Sequence, residues 1–531
     1  MSGNYLSGRH AKIHMDFDRA ATFFSKIQIK DPSNTDILRQ VAIAQSAAGN
    51  LEAAARVARE LTRDRVISTI PQLILFADAI RENNQDEASR LLTQLPRSNL
   101  SEVGVSLFKA WLFSNAGNYD EAVKALDSIA SFQGFQPMRL HHLALVQEYF
   151  GKFSESESTY RRALEISKSV RTIQAFGYFL ERLGRSGEAI ALYKKYSADQ
   201  TGPYQIREEI VRLNSGKVVK PMVIESNHGV AEAIFNLAGI LVQNQTSDLA
   251  LILCRLAIWI KPDFPAAKML IGDLFQILER PKEALSVFSS IEESSPLFWS
   301  ARLRQALLLS SLKQQDKAEK LLRKMSLERQ GDVDALSQLG DMLREAKKFD
   351  SASAVYSQAI SRIGAPDRIS WSLFYSRGIS YERSKKWDLA EKDFLEALKI
   401  NPKQPYVLNY LGYSWVDQGR NLEKAKKMIE EAVRLRPNDG YIVDSLGWVL
   451  FRLQEFEAAT NYLEKAVSLR PADPTINDHL GDAYWRVGRL REARFQWRRS
   501  LSFSPEPDQE KLIKNKLLQG LQRLDGQKGK G

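Results

Sequence analysis

Apolar residues recur along this chain at intervals of three and four, in paired short stretches separated by a few polar residues. That is the pattern of short amphipathic helices joined by turns. It is plainest near the C-terminal end. The stretches AEKDFLEALKINP, AATNYLEKAVSLRP and ARFQWRRSLSFSP each carry one apolar stripe and end on a proline. A second helical stretch precedes each: LNYLGYSWV, VDSLGWVLF and NDHLGDAYW lead into successive units. The terminating prolines are Pro402, Pro437, Pro471 and Pro505, which fall 35, 34 and 34 residues apart. Proline cannot continue a helical hydrogen-bond ladder, so each one closes its unit.

One small residue indexes the first helix of each unit. The series is Gly8, Ala42, Phe76, Ala110, Ala144, Gly177, Ala238, Gly272, Ala306, Gly340, Gly378, Gly412, Gly447 and Gly481. Twelve residues later, or thirteen after Gly412, comes a second small residue, from Ala20 to Ala493. Two antiparallel helices joined by a short turn approach closely only where side chains are small. A larger residue there overpacks the contact by about 1–3 kcal/mol. Phe76 breaks the rule, which predicts a local distortion in its unit. Leu446, Leu450 and Leu463 in one unit, and Leu480, Tyr484 and Trp497 in the next, are the expected space-filling core.

This unit resembles the tetratricopeptide repeat, a 34-residue helix–turn–helix. The residues that carry the resemblance best are Leu446, Gly447, Leu450, Ala459, Leu463, Ala466 and Pro471. The resemblance implies an all-α fold, an α-α superhelix of about fourteen helix–turn–helix repeats. Residues 1–198 read as an N-terminal array of six degenerate repeats and 231–505 as a C-terminal array of eight. The one long gap in the register, 199–230, reads as a joint between two halves; a degenerate repeat in a continuous solenoid is the alternative. A short helix is expected within it, from about Tyr204 to Leu213. Residues 506–524 read as a capping helix with Leu512, Ile513, Leu517, Leu518, Leu521 and Leu524 on its apolar stripe, and 525–531 as a disordered tail.

Composition narrows the chemistry. The net charge of +11 comes from 75 Lys and Arg against 64 Asp and Glu, and it is spread thinly along the chain. A nucleic-acid or membrane-surface protein usually concentrates its charge. The single cysteine, Cys254, leaves neither an intramolecular disulfide nor a cysteine zinc site. The longest apolar stretch, Leu249 to Ile260, is interrupted by Arg255 and is too short to cross a bilayer. No phosphate-cradling glycine loop, GxSxG or HExxH motif occurs. His10 and His14 stand four apart without the glutamate a metalloprotease helix needs, and repeats occupy every segment long enough for an enzyme domain. The expectation is a non-enzymatic protein with no cofactor, no metal and no catalytic residue.

Binding is the chemistry that repeats offer. Positions 2, 5, 9 and 12 of each first helix form a stripe that stacking aligns on the inner face. In the last four repeats that stripe reads Tyr375, Ile379 and Glu382; Tyr406, Asn409, Tyr413 and Val416; Tyr441, Asp444, Trp448 and Phe451; Asp478, Asp482 and Trp485. Aromatics interspersed with hydrogen-bonding groups suit an extended or helical peptide. The candidate partner-binding residues are therefore Tyr375, Asn409, Tyr413, Asp444, Trp448, Phe451, Asp478, Asp482 and Trp485, with Arg486 beside them. Trp415 and Trp497 fall on core positions instead.

Two other partners are disfavoured. Docking of a chaperone's C-terminal tail, as family members do it, needs Lys or Arg at position 5 and Asn at position 9; Arg39 stands at position 5, but Ile43 follows at 9. Nucleic acid or another polyanion would have to use Arg486, Arg489, Arg491, Arg494, Arg498 and Arg499, which the helical register scatters round two helices. That polyanion reading and a regulatory subunit of an enzyme complex are the alternatives to a scaffold.

The stretch DGYIVDSLGWVLFRL…EAATNYLEKAV…DPTINDHLGDAYWRVGRLREARFQW is also similar to a group of bacterial envelope-associated tetratricopeptide proteins. That similarity implies an assembly scaffold at the cell envelope. Members of the group usually carry an export or lipoprotein signal. The first residues here have no apolar signal core, so the chain as written reads as cytoplasmic, and as periplasmic or envelope-associated if its start lies upstream.

Overall fold

The computed structural model describes residues 1–63, 68–96, 98–197, 204–216, 219–244, 246–363 and 370–521. Among the described residues there are thirty α-helices and no strand. They form fourteen helix pairs and two single helices, Tyr204–Asn214 after the sixth pair and Pro507–Gln519 after the fourteenth. The expected tail, 525–531, lies outside the described residues.

The glycines of the index series show why the pairs form. A methyl group on Gly340 would stand 2.5 Å from the Tyr356 ring, one on Gly447 2.5 Å from Leu463 Cγ, and one on Gly481 2.4 Å from the Trp497 ring. Each glycine thus vacates the space that a large side chain of the second helix fills, and Tyr356, Leu463 and Trp497 are fully buried there. Phe76 behaves differently from the expectation. Its helices, Thr69–Arg81 and Gln85–Thr93, are unbroken. The Phe76 ring is fully buried, 4.9 Å from that of Phe108, so it fills space against the following pair.

The turn inside each pair is also uniform. The seventh residue after the index position is left-handed in every repeat where that residue is described, from Met15 (φ 54°) to Gly488 (φ 83°). Glycine fills it at Gly49, Gly117, Gly151, Gly184, Gly419 and Gly488, whereas Lys313, Lys347 and Lys385 hold the same conformation against their own Cβ.

The chain divides into two compact units, residues 1–321 and 322–531. The register gap at 199–230 suggests a boundary there, but the unit continues past it. The two helices that follow the gap, Ser226–Gln243 and Ser247–Ile260, pack back on the first array: the former on Asn99–Asn115 and Gln136–Tyr149, the latter on Thr35–Ala48 and Thr69–Arg81. These four are all first helices of their pairs, the ones that line the inner face of such an array.

Buried polar contacts fasten the helices in place. Arg171 donates from Nε to Glu232 at 3.0 Å and makes a second bond to the same carboxylate. Lys261 approaches Glu232 at 3.7 Å. The Trp111 indole donates to His142 Nδ1 at 3.1 Å, and Asn236 meets Nε2 of the same ring at 3.2 Å. Gly229 lets the Trp111 ring lie directly on the helix backbone, since a Cβ would sit 2.1 Å from it. Burial would raise the Glu232 carboxyl, but the Arg171 and Lys261 charges outweigh it and hold the group ionised. At the far end Trp259 donates to Glu52 at 3.2 Å beneath the Arg81 guanidinium.

Candidate peptide-binding groove

The second unit leaves part of the corresponding face open. First helices Trp371–Arg383, Pro405–Asp417 and Gly440–Arg452, with the start of Pro474–Arg486, frame a cavity of about 510 Å³. Its lining is mixed. Tyr410, Tyr413 and Tyr441 supply ring surface, Asn409, Ser414 and Gln418 supply amides and a hydroxyl, and Glu382, Asp417, Asp444 and Asp473 supply carboxylates. Asn409 Oδ1 is buried and has no hydrogen-bond partner among the described residues.

Tyr375 lies behind the lining residue Tyr410, its ring 5.9 Å from Tyr410 and 6.1 Å from Phe394. Burial pushes the Tyr375 phenol up to about 12 and raises those of Tyr410 and Tyr413 as well, so all three stay neutral hydrogen-bonding groups. Tyr410 donates to Glu382 at 3.1 Å. Asp417 is exposed and makes no hydrogen bond or ion pair among the described residues.

The candidate residues therefore separate into two groups. Asn409, Tyr413 and Asp444 line the cavity, with Tyr375 behind them. Trp448, Phe451, Asp478, Asp482 and Trp485 enter a dense internal network at the C-terminal end. The Trp448 ring stacks on Phe451 at 5.0 Å and on His479 at 4.1 Å. His479 Nδ1 donates to Asp444 at 3.0 Å. Burial pulls the His479 pKa down, but the charge and hydrogen bond of Asp444, with Asp478 and Asp482 behind, carry it above its ordinary value.

The closing helix Pro507–Gln519 takes part in this network. Lys516 donates to Asp478 at 2.8 and 2.9 Å and to Asp482 at 2.8 Å. Asp482 also accepts from the Trp497 indole at 2.9 Å. Burial, then the charge of Asp478, push Asp482 up to about 6 against the pull of Lys516. Trp485 lies against Trp497 at 5.3 Å and over Gly520, where a Cβ would sit 2.0 Å from its ring. The apolar stripe expected on this helix is narrower than its leucines suggest. Ile513 is buried, while Leu512 and Leu518 are 60% and 79% exposed, because the helix turns Lys516 inward to the two carboxylates. Leu524 lies outside the described residues.

The arginine-rich stretch is dispersed. Arg489 pairs with Glu464 at 2.8 Å and Glu492 at 3.1 Å, Arg494 lies over the Trp485 ring, and Arg499 donates to the Pro471 carbonyl at 2.9 Å. Arg486 is half-buried. Trp415 and Trp497 are core residues, 2% and 0% exposed. Among the lining residues that the repeat register did not single out are Tyr410, Asp417, Gln418 and Asp473. Tyr410 and Asp417 sit one position beside the stripe, Gln418 just after its helix and Asp473 just before the next first helix, so only the packed helices bring them to the groove.

The tetratricopeptide-repeat family model matches residues 375–440 and 445–502. Those two segments are accordingly tetratricopeptide repeats, and a similar helix pair recurs through the rest of the described residues. No curated protein matches the chain. Among solved structures it is similar to the APC/C hetero-tetramer Cut9–Hcn1, at 13% identity over 97% of this chain and 96% of that one, with a TM-score of 0.41. It is similar to yeast Tom70 at 14% identity over 85% and 95%, with a TM-score of 0.36. Pseudomonas aeruginosa pilF gives 20% identity over 35% and 82%, with a TM-score of 0.31. Among the described residues no helix is long and apolar enough to cross a membrane.

Proposed function

We propose that this protein is a non-enzymatic interaction scaffold that holds a segment of a partner protein in the groove of its second unit. The observation that carries this reading is the contrast between the two inner faces. In residues 1–321 the chain's own helices cover that face, whereas around Tyr413 and Asp444 an open, mixed aromatic and polar cavity remains. Such a lining suits a peptide, whose backbone needs hydrogen-bonding groups and whose side chains need aromatic surface. Capture of a native partner by the full chain tests it. Combined Asn409→Ala, Tyr413→Ala and Tyr441→Ala substitution abolishes capture while helix content is kept. Undiminished capture by that variant refutes the groove.

The similarity of residues 439–497 to bacterial envelope-associated tetratricopeptide proteins supports envelope assembly as the process. Fractionation of the native source, with the protein found at the envelope or periplasm, is the expected outcome. A purely cytoplasmic protein with cytoplasmic partners would exclude that process.

A further inference from the structure

We propose that the outer face of the last second helix, Leu490–Ser502, docks the protein on a membrane surface rich in anionic phospholipid. This is a second surface, and it does not depend on the groove reading.

Placement on the helix is the first support. Ala493, Gln496, Trp497 and Ser500 form its buried side. At about 100° per residue, the opposite side carries Arg491, Arg494, Phe495, Arg498 and Ser502, and no carboxylate. The three arginines are exposed, and the Phe495 ring stands among them 57% exposed. Glu492, the helix's one carboxylate, is already bonded to Arg489 at 3.1 Å. Arg491 and Arg498 make no hydrogen bond or ion pair among the described residues, and Arg494 has the Trp485 ring beneath it and no carboxylate.

The second support is that the preceding repeats do otherwise. The register puts Asp388, Glu423 and Glu457 at the place of Arg491, and Glu430 and Glu464 at the place of Arg498. The place of Phe495 is held by Lys392, Lys427 and Asn461. Keeping a helix face solvated therefore does not require this pattern. The last repeat exchanges acid for base and a polar side chain for an aromatic ring on one helix face. An anionic lipid interface is complementary to both changes: guanidinium groups pair with lipid phosphates, and the ring enters the layer beneath the headgroups. A nucleic-acid strand is matched less well, because strands lie in grooves that track the backbone, and this face is the outward side of a single helix.

The test is flotation of the full chain with vesicles of equal parts phosphatidylglycerol and phosphatidylcholine, and with vesicles of phosphatidylcholine alone. The chain floats with the anionic vesicles and not with the neutral ones, and added salt weakens its binding. Combined Arg491→Gln and Arg498→Gln weakens binding about thirtyfold, the loss expected for two cations at an anionic surface. Phe495→Ser weakens it about tenfold at unchanged charge. Combined Lys194→Gln and Lys195→Gln, two exposed cations on Ser186–Ser197, removes the same charge and leaves binding unchanged. All five positions are exposed, and circular dichroism checks that helix content is kept. Equal flotation with both kinds of vesicle, or equal loss in both double variants, overturns the proposal. If the anionic vesicles are ignored while labelled oligothymidylate is bound through Arg491 and Arg498, the face serves nucleic acid and the lipid assignment falls.

Discussion

Gly447→Ala tests the packing rule on which the whole array rests. A Cβ at that position would lie 2.5 Å from Leu463 Cγ, 2.8 Å from Cδ2 and 3.3 Å from the Leu463 backbone nitrogen. Leu463 is fully buried, and the backbone contact means that a rotamer change alone does not clear the space. Overpacking of this kind costs about 1–3 kcal/mol. Replacing a mid-helix glycine by alanine returns about 0.5–1 kcal/mol. The backbone contact puts the cost in the upper half of that range, so the net expectation is a loss of about 1–2 kcal/mol. Gly239→Ala is the matched control. Gly239 lies inside helix Ser226–Gln243 with nothing within 4 Å of its added Cβ, so there the helix-propensity term stands alone and the substitution stabilises. Because long repeat arrays do not unfold in one step, the assay is local hydrogen exchange rather than a global melt. Amides of Gly440–Arg452 and Phe456–Leu469 exchange about 5–30 times faster in Gly447→Ala, and those of Ser226–Gln243 more slowly in Gly239→Ala. If both substitutions slow exchange, the glycine series is not a set of close-approach points and the reasoning fails.

Glu232→Ala strands the buried Arg171 and Lys261 charges and costs about 3–5 kcal/mol, seen as lost exchange protection in helices Ser226–Gln243 and Val170–Arg182; protection kept in both would contradict the role of that cluster. Lys347→Gly relieves a left-handed backbone at an exposed turn and stabilises its repeat by about 1 kcal/mol, whereas a loss of stability would mean that the side chain matters more than the strain. Burial, with help from the Arg171 charge at His141 and from His141 at His142, holds both rings down at about 3. Their folded pKa values are depressed, so that stability is complete above about 6.5 and falls with acid by about 1.4 kcal/mol per pH unit for each ring. His479 has the opposite sign: its raised pKa gives stability below about 6.5 that is lost as pH rises through the folded value. Exchange protection of Gln136–Tyr149 therefore drops between pH 6.5 and 4, while that of Pro474–Arg486 drops on the alkaline side; parallel behaviour of the two helices would refute the assignment.

Much of this architecture is legible in the sequence because it is local and repeated. The small index residue and the second small residue recur in nearly every unit and a terminating proline in several, and the helix pairs follow them from Ser2–Ile13 to Leu490–Ser502. The inward return of Ser226–Gln243 and Ser247–Ile260 is a long-range contact and leaves no periodic trace. One signal did exist: the stretch from Leu249 to Ile260 is apolar nearly all round, and a helix of that kind is buried on more than one side. Lys516 shows the opposite limit. The helical wheel puts it on the polar face, and only the placement of Asp478 and Asp482 across from it turns that face inward. In the groove, the repeat register reaches Asn409, Tyr413 and Asp444, whereas Trp448 and Trp485 fall on the same stripe and are taken up by His479, Trp497 and Gly520.

The central claim is that a partner enters the open groove of the second unit and not the covered inner face of the first. Hydrogen exchange of the full chain with and without a captured native partner measures it directly. The expected result is added protection on Pro405–Asp417 and Gly440–Arg452, with Thr35–Ala48, Thr69–Arg81 and Asn99–Asn115 unchanged. Protection confined to those three N-terminal helices, or release of Ser226–Ile260 from them on binding, would contradict it.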